Sequence, residues 1–264
     1  MVDVLITGFG PFLDVTDNPS GAIAQRLQDS LVQRPLPSVK SSRCKVLAVT
    51  RRSVDSFLDD EVTEMRNNGS KNPVLFLHIG VARMRSVINI ETFGVNAMHF
   101  PNGDGEGLDC MRNTPIDPTK PLGAPEQIHF VTSDLRNAVR KLNTQTGGDE
   151  RSRFTTKLSA DAGQYVCNYT LFQSNRICDG LRKTLGRDCR SVFVHIPPFA
   201  AESDPADIEA GVRAILAELT TLMLPQPAPV LSGLAPFWLP TLLIAVFGAV
   251  VSVDRLLASR GSAT

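Results

Sequence analysis

The chain has 264 residues, 42% of them apolar and 20% charged, with 27 Lys and Arg balanced against 27 Asp and Glu. That length can bury a sizeable core, and the even charge leaves no bulk field to draw in nucleic acid, nor is there a basic stripe interleaved with aromatics. Five scattered cysteines without CxxC spacing suggest neither a disulfide framework nor a zinc site. Reduced thiols are expected, most of them small buried apolar residues.

In chain order, Val4 to Thr7 reads as a buried strand, and Gly8-Phe9-Gly10-Pro11-Phe12 forces a loop before Asn18-Pro19-Ser20 opens a helix through Leu31. The N-terminus shows no basic n-region or long apolar stretch, so no secretory leader is expected and the domain reads as cytosolic. A second strand fits Lys45 to Val49, a helix fits Val54 to Asn67 with Ser53 as cap, and Val74 to Ile79 is a strongly apolar third strand. Val87 to Ile90 fits a fourth. Gly94 to Pro125, rich in Asn, Gly, Asp and Pro, reads as mostly irregular loop placed to cover a site.

Ser133 to Asn143 has helical periodicity, and Thr144 to Ser152 is a polar surface insertion. Cys167 starts another helix, with Leu171, Phe172 and Ile177 as apolar contacts. Ser191 to Ile196 is a buried strand ended by Pro197-Pro198. Ile208, Val212, Ile215, Leu216, Leu219 and Leu222 form one face of a last helix. Strands alternating with helices predict an α/β domain with a parallel or mixed sheet covered on both sides, over residues 1–224.

From 225 the composition changes. Pro225, Pro227 and Pro229 form a stiff linker, and no charged residue occurs between Glu218 and Asp254. Phe237 to Val253 is an uncharged run of 17 residues, roughly 25 Å as a helix against a hydrocarbon core of about 30 Å. Trp238 and Arg255 suit the two interfaces. One reading is a transmembrane tail anchor in 225–264, leaving the domain cytosol-facing; the other is an apolar helix packed on protein.

Three residues carry candidate chemistry. Cys167 follows a Gly-containing turn at a helix start, where backbone N–H groups and the helix dipole favour thiolate and can stabilise an oxyanion. His195 ends a strand, where ligand sites gather in α/β proteins, and its imidazole suits proton transfer to and from the thiol. Glu91 ends another strand and is placed to orient an imidazole. A buried structural cysteine, a satisfied strand-end histidine and an exposed glutamate are the competing assignments. His78 reads as core, while His99 and His129 have no supporting context.

Taken together, these segments resemble pyroglutamyl peptidase I, or pyrrolidone carboxyl peptidase, a family of cysteine exopeptidases. The resemblance rests on Thr7-Gly8-Phe9-Gly10-Pro11-Phe12 with Asn18-Pro19-Ser20, on Gly80 to Glu91 continuing into Thr92-Phe93-Gly94-Val95-Asn96, on Asp161 to Asn168, and on Phe193-Val194-His195-Ile196-Pro197. It implies a three-layer α/β/α sandwich with a mixed, mostly parallel sheet, and release of N-terminal pyroglutamyl residues from peptides without metal or other cofactor. It also implies a triad of Glu91, Cys167 and His195, and a lactam pocket with walls of Phe9 and Phe12 and Asn18 close by. Val81 stands where bacterial members carry Gln, and Thr92 where they carry Arg. A cysteine amidase for another blocked N-terminus and a catalytically silent membrane-tethered binding protein are the alternatives.

Overall fold

The computed structural model describes residues 1–13, 15–145, 154–199 and 204–225. The three strands that read as continuous apolar runs lie side by side, as β1 (Val2–Phe9), β3 (Val74–Val81) and β10 (Cys189–Ile196). Strands buried on both faces need such runs, because helices cover both sides of a parallel sheet. β2 (Val39–Leu47), β4 (Ile88–Glu91) and β9 (Thr156–Ser159) complete a six-stranded sheet in the order β2-β1-β3-β10-β4-β9. Every pairing is parallel except β10 with β4. The sheet is therefore mixed and mostly parallel.

α1 (Pro19–Gln33), α3 (Thr132–Gln145) and α5 (Pro205–Leu222) form one outer layer, with α5 against both α1 and α3. α2 (Arg51–Asn67) and α4 (Val166–Leu185) pack together on the other face, with α4 against β10. This is the expected three-layer sandwich. β1 turns sharply into α1: a Cβ on Gly8 would run into the Ser20 carbonyl oxygen. Asn18 holds that turn as N-cap of α1. Its Oδ1 accepts from the Ser20 N–H at 3.1 Å and hydroxyl at 2.9 Å, and its Nδ2 donates to the Gly10 carbonyl at 2.9 Å. Pro19 follows at a position where a missing N–H costs nothing.

Several sequence expectations are corrected. The second strand occupies Val39–Leu47 instead of Lys45 to Val49, because an edge strand with one neighbour exposes most of its side chains and loses the apolar signature. α2 begins at Arg51 and is capped by Thr50, whose Oγ1 accepts the Ser53 N–H at 3.1 Å, so Ser53 is a first-turn donor and not the cap. β9 had no counterpart in the sequence reading.

The stretch Gly94 to Pro125 is mostly turn and irregular structure, as expected, but short strands run through it. Two small sheets organise it: β5 (Phe93–Val95) with β8 (Pro125–Gln127), and β6 (Met98–Phe100) with β7 (Met111–Thr114). Buried Asn96 ties them together. Its Nδ2 donates to the carbonyls of Asp117, Lys120 and Pro121 within 3.0 Å, and its Oδ1 accepts the Asp117 N–H at 2.7 Å.

Most of the polar insertion after Thr144 and the whole segment Phe237 to Val253 lie outside the described residues, as do the linker and tail from 226 onward. Among the described residues no helix is long and apolar enough to cross a membrane.

Candidate active site

The sheet register brings Glu91 and His195 together. In the antiparallel β4–β10 pair Glu91 faces Phe193, so Glu91, Phe193 and His195 share one face, with His195 diagonal to the carboxylate. His195 Nδ1 lies 2.8 Å from Glu91 Oε1. That leaves the other ring nitrogen for Cys167, the second group that raises the proton affinity of the ring. Glu91 is fully buried, His195 is 5% exposed and Cys167 is half-buried. Solvent access is thus graded towards the sulfur.

Burial alone would lower the proton affinity of His195. The hydrogen bonds and charges of Cys167 and Glu91 outweigh it and raise the imidazole to about 9. A carboxylate and a sulfur on opposite sides of one ring favour its charged form.

Cys167 is the second residue of α4, just after the turn in which Gly163 takes φ +74° and donates its N–H to Asp161 Oδ1 at 2.9 Å. Asn18, Thr50 and Asp204 cap α1, α2 and α5 with side-chain hydrogen bonds, whereas Tyr165 gives α4 none. The first N–H groups of α4 have no acceptor within the helix either, the setting in which a helix N-terminus receives an anionic group. Gly80 of β3 leaves room for that sulfur. A Cβ there would lie 3.3 Å from Cys167 Sγ and 2.6 Å from the Phe193 ring.

Cys167 and His195 open onto a cavity of about 180 Å³ whose walls include Phe9, Phe12, Val49, Val81 and Tyr165. Phe12 and Tyr165 have ring centroids 6.2 Å apart, and Phe100 meets Tyr165 edge-on at 5.5 Å. Burial, with Asp104 and Cys167 nearby, raises the Tyr165 phenol to about 12, so this wall stays neutral beside the sulfur. Asn18 also lines the cavity, but its amide is engaged by Ser20 and Gly10. A second cavity of similar size lies among Asp3, Arg43, Glu64 and Arg187 and contains none of these groups. Among the described residues no cluster of His, Cys, Asp and Glu could hold a metal ion.

The sequence profile of the pyroglutamyl peptidase family matches residues 2–221. The chain belongs to the pyroglutamyl peptidase family. Pyroglutamyl-peptidase 1 of Homo sapiens is 28% identical over 220 residues, covering 83% of this chain and 90% of the human protein. The pyrrolidone-carboxylate peptidase of Pyrococcus furiosus is 30% identical over 200 residues, covering 74% of this chain and 80% of the archaeal one. The solved structure of a mutant pyrrolidone carboxyl peptidase from P. furiosus shares the fold, with a TM-score of 0.62 at 24% identity over 83% of this chain and 99% of that one.

In this family member all six residues singled out in the sequence reach one place: Glu91 bonded to His195 with Cys167 beside it, and Phe9, Phe12 and Asn18 around the adjoining cavity. Three neighbours escaped the sequence reading. Tyr165 forms part of the wall. Asn168 anchors the small sheets to α4, its Oδ1 accepting the Val95 N–H and its Nδ2 donating to the Val95 and Ala97 carbonyls, each at 2.8 Å. Arg85, in the loop after β3, donates to Glu91 Oε1 at 2.6 Å. Tyr165 and Asn168 flank the thiol within its motif, which was the available signal; Arg85 had none.

Of the remaining histidines, His78 is buried in the core as expected, and His129 lies 2.7 Å from Asp179 on α4. Neither lines the cavity beside the thiol.

Proposed function

We propose that this chain is a cysteine exopeptidase that removes the N-terminal pyroglutamyl residue from peptides, with Cys167 as nucleophile, His195 as base and acid, and Glu91 as the carboxylate that orients the imidazole. The observation that carries this reading is a single ring, His195, held 2.8 Å from a buried carboxylate and sharing the edge of an aromatic-walled cavity with the half-buried Cys167 thiol.

In the proposed reaction His195 takes the Cys167 proton and the sulfur attacks the pyroglutamyl carbonyl carbon. The first N–H groups of α4 stabilise the resulting oxyanion. His195 then returns the proton to the leaving amine and a thioester remains. Water, deprotonated by the same imidazole, hydrolyses it.

Family relatives carry this activity in their names, and the cavity suits the acyl group. Phe9 and Phe12 offer apolar walls to an uncharged lactam, whereas a free α-ammonium would lose its hydration there without a partner. Asn18 acts in this reading by holding the Gly10 carbonyl and the β1–α1 turn that carries both phenylalanines. We place the activity in residues 1–224, facing the cytosol, with Phe237 to Val253 as a membrane tether; carbonate extraction of the full chain and of a form lacking 226–264 tests that tether.

Replacing Cys167 by Ala should abolish release from a pyroglutamyl amide reporter while thermal melting stays near that of the parent. A folded Cys167→Ala variant with full activity would falsify the assignment.

A further inference from the structure

Resting on the triad reading above, we propose that Arg85 is a positioning residue for the reaction: its guanidinium locks the Glu91 carboxylate to the turn that presents Cys167 and sets the proton affinity of His195. One Arg85 nitrogen, Nη1, donates to Glu91 Oε1 at 2.6 Å and to Ser159 Oγ at 3.1 Å, while Nη2 donates to the Asp161 carbonyl at 2.5 Å. Ser159 ends β9, and Asp161 begins the turn that runs through Gly163 to Cys167. One planar fork thus joins the carboxylate to the approach of the nucleophile helix, a geometry open to arginine and closed to lysine.

The charge pattern points the same way. Glu91 is fully buried, and its Oε2 has no hydrogen-bond partner among the described residues, so its charge is balanced through Oε1, which Arg85 and His195 share at 2.6 and 2.8 Å. A buried carboxylate needs such compensation. With the thiol ionised and the imidazole protonated, the row Arg85, Glu91, His195, Cys167 alternates in sign and sums to zero. The groups facing it are Glu91 from β4, Ser159 from β9 and Asp161 just beyond it, His195 from β10 and Cys167 from α4. The Asp161 carboxylate is turned to the Gly163 N–H, and Arg83, the other cation of the β3–β4 loop, is exposed.

Without Arg85 the carboxylate loses the cation bonded to its far side, so His195 holds its proton more tightly while Glu91 loses its fixed orientation. The test uses the full chain, a pyroglutamyl amide reporter and three variants. Arg85→Met should lower kcat by about tenfold to a hundredfold with KM little changed, and should move the alkaline limb of the rate profile up by about half a unit to one unit. Arg85→Lys should keep the limb in place, because the charge remains, but should recover kcat only in part.

A folded Arg85→Met variant with unchanged kcat and limb overturns the proposal, as does one that loses rate and thermal stability together with no movement of the limb. Should Arg85→Met not fold, Arg85→Lys decides: reduced kcat at an unmoved limb supports the proposal, and parental kcat overturns it. Cys167→Ala is measured alongside. If that variant is active the triad reading fails; if it is inactive and the Arg85 variants behave like the parent, only the role of Arg85 fails.

Discussion

His78 and His195 lie on neighbouring strands, both buried against Phe193, and their proton affinities move in opposite directions. His78, in the middle of β3, has the Thr7 hydroxyl 2.7 Å from Nδ1, aromatic rings around it and no partner for Nε2 among the described residues; burial lowers it to about 3. His195, at the end of β10, is subject to the same burial, yet Cys167 and Glu91 bring it to about 9. The ordinary value is about 6.5. Depth in the sheet is nearly the same for both, so the partner and not the burial decides which histidine can carry a proton through a reaction. Moving along the strands from the centre to the C-terminal end exchanges a hydroxyl for a carboxylate and a thiol.

The largest expected effect comes from making the partner of His195 neutral, like that of His78. Glu91→Gln keeps the shape but removes the charge, and should lower kcat by roughly a hundredfold to ten-thousandfold. The alkaline limb of the rate profile should also move below about 9. A parental profile in that variant would break the comparison.

Stability against pH should separate the two histidines next. The folded value of His78 is depressed, so its contribution is present above about 6.5 and is lost as pH falls towards about 3. The folded value of His195 is raised, so its contribution is full below about 6.5 and is lost as pH rises through about 9. Each slope is worth about 1.4 kcal/mol per pH unit inside its window. Urea midpoints across pH should show the acid slope flattened by His78→Leu alone and the alkaline slope flattened by His195→Leu alone. Equal slopes in both variants would contradict the assignment.

A smaller effect is expected at Gly80, which pairs with His195 in the sheet and lies two residues beyond His78. The Cβ of Gly80→Ala would press the Phe193 ring and the Cys167 sulfur, costing about 1–3 kcal/mol of stability. Displacing the thiol should also lower kcat by about tenfold or more, measured with the same reporter. An alanine accommodated with no change in either would show that the row tolerates more movement than its packing suggests.

What could be read from the chain beforehand follows from which forces leave a periodic trace. β1, β3, β10 and the start of α4 were legible because burial on both faces, or a turn before an apolar helix, writes itself into consecutive residues. Glu91, Cys167 and His195 were legible as strand and helix ends, and became specific only through their order in a familiar set of motifs. β2 was misplaced because an edge strand hides its pattern. The small sheets of residues 93–127 were invisible because the amides of Asn96 and Asn168 hold them through backbone groups up to 73 residues away, and such bonds have no period. For the same reason Arg85 gave no sign of its contact with Glu91, whereas Asn18, ahead of Pro19 at a helix start, carried the signature of the cap its amide makes.

The central claim is that the Cys167 sulfur attacks a pyroglutamyl carbonyl. Acid quenching of the full chain during turnover of a pyroglutamyl ester, followed by peptide mass spectrometry, tests it directly. The account predicts a single pyroglutamyl acyl group on the peptide carrying Cys167, absent from Cys167→Ala. Turnover of the reporter with the acyl group on another residue, or undiminished turnover in Cys167→Ala, would contradict it.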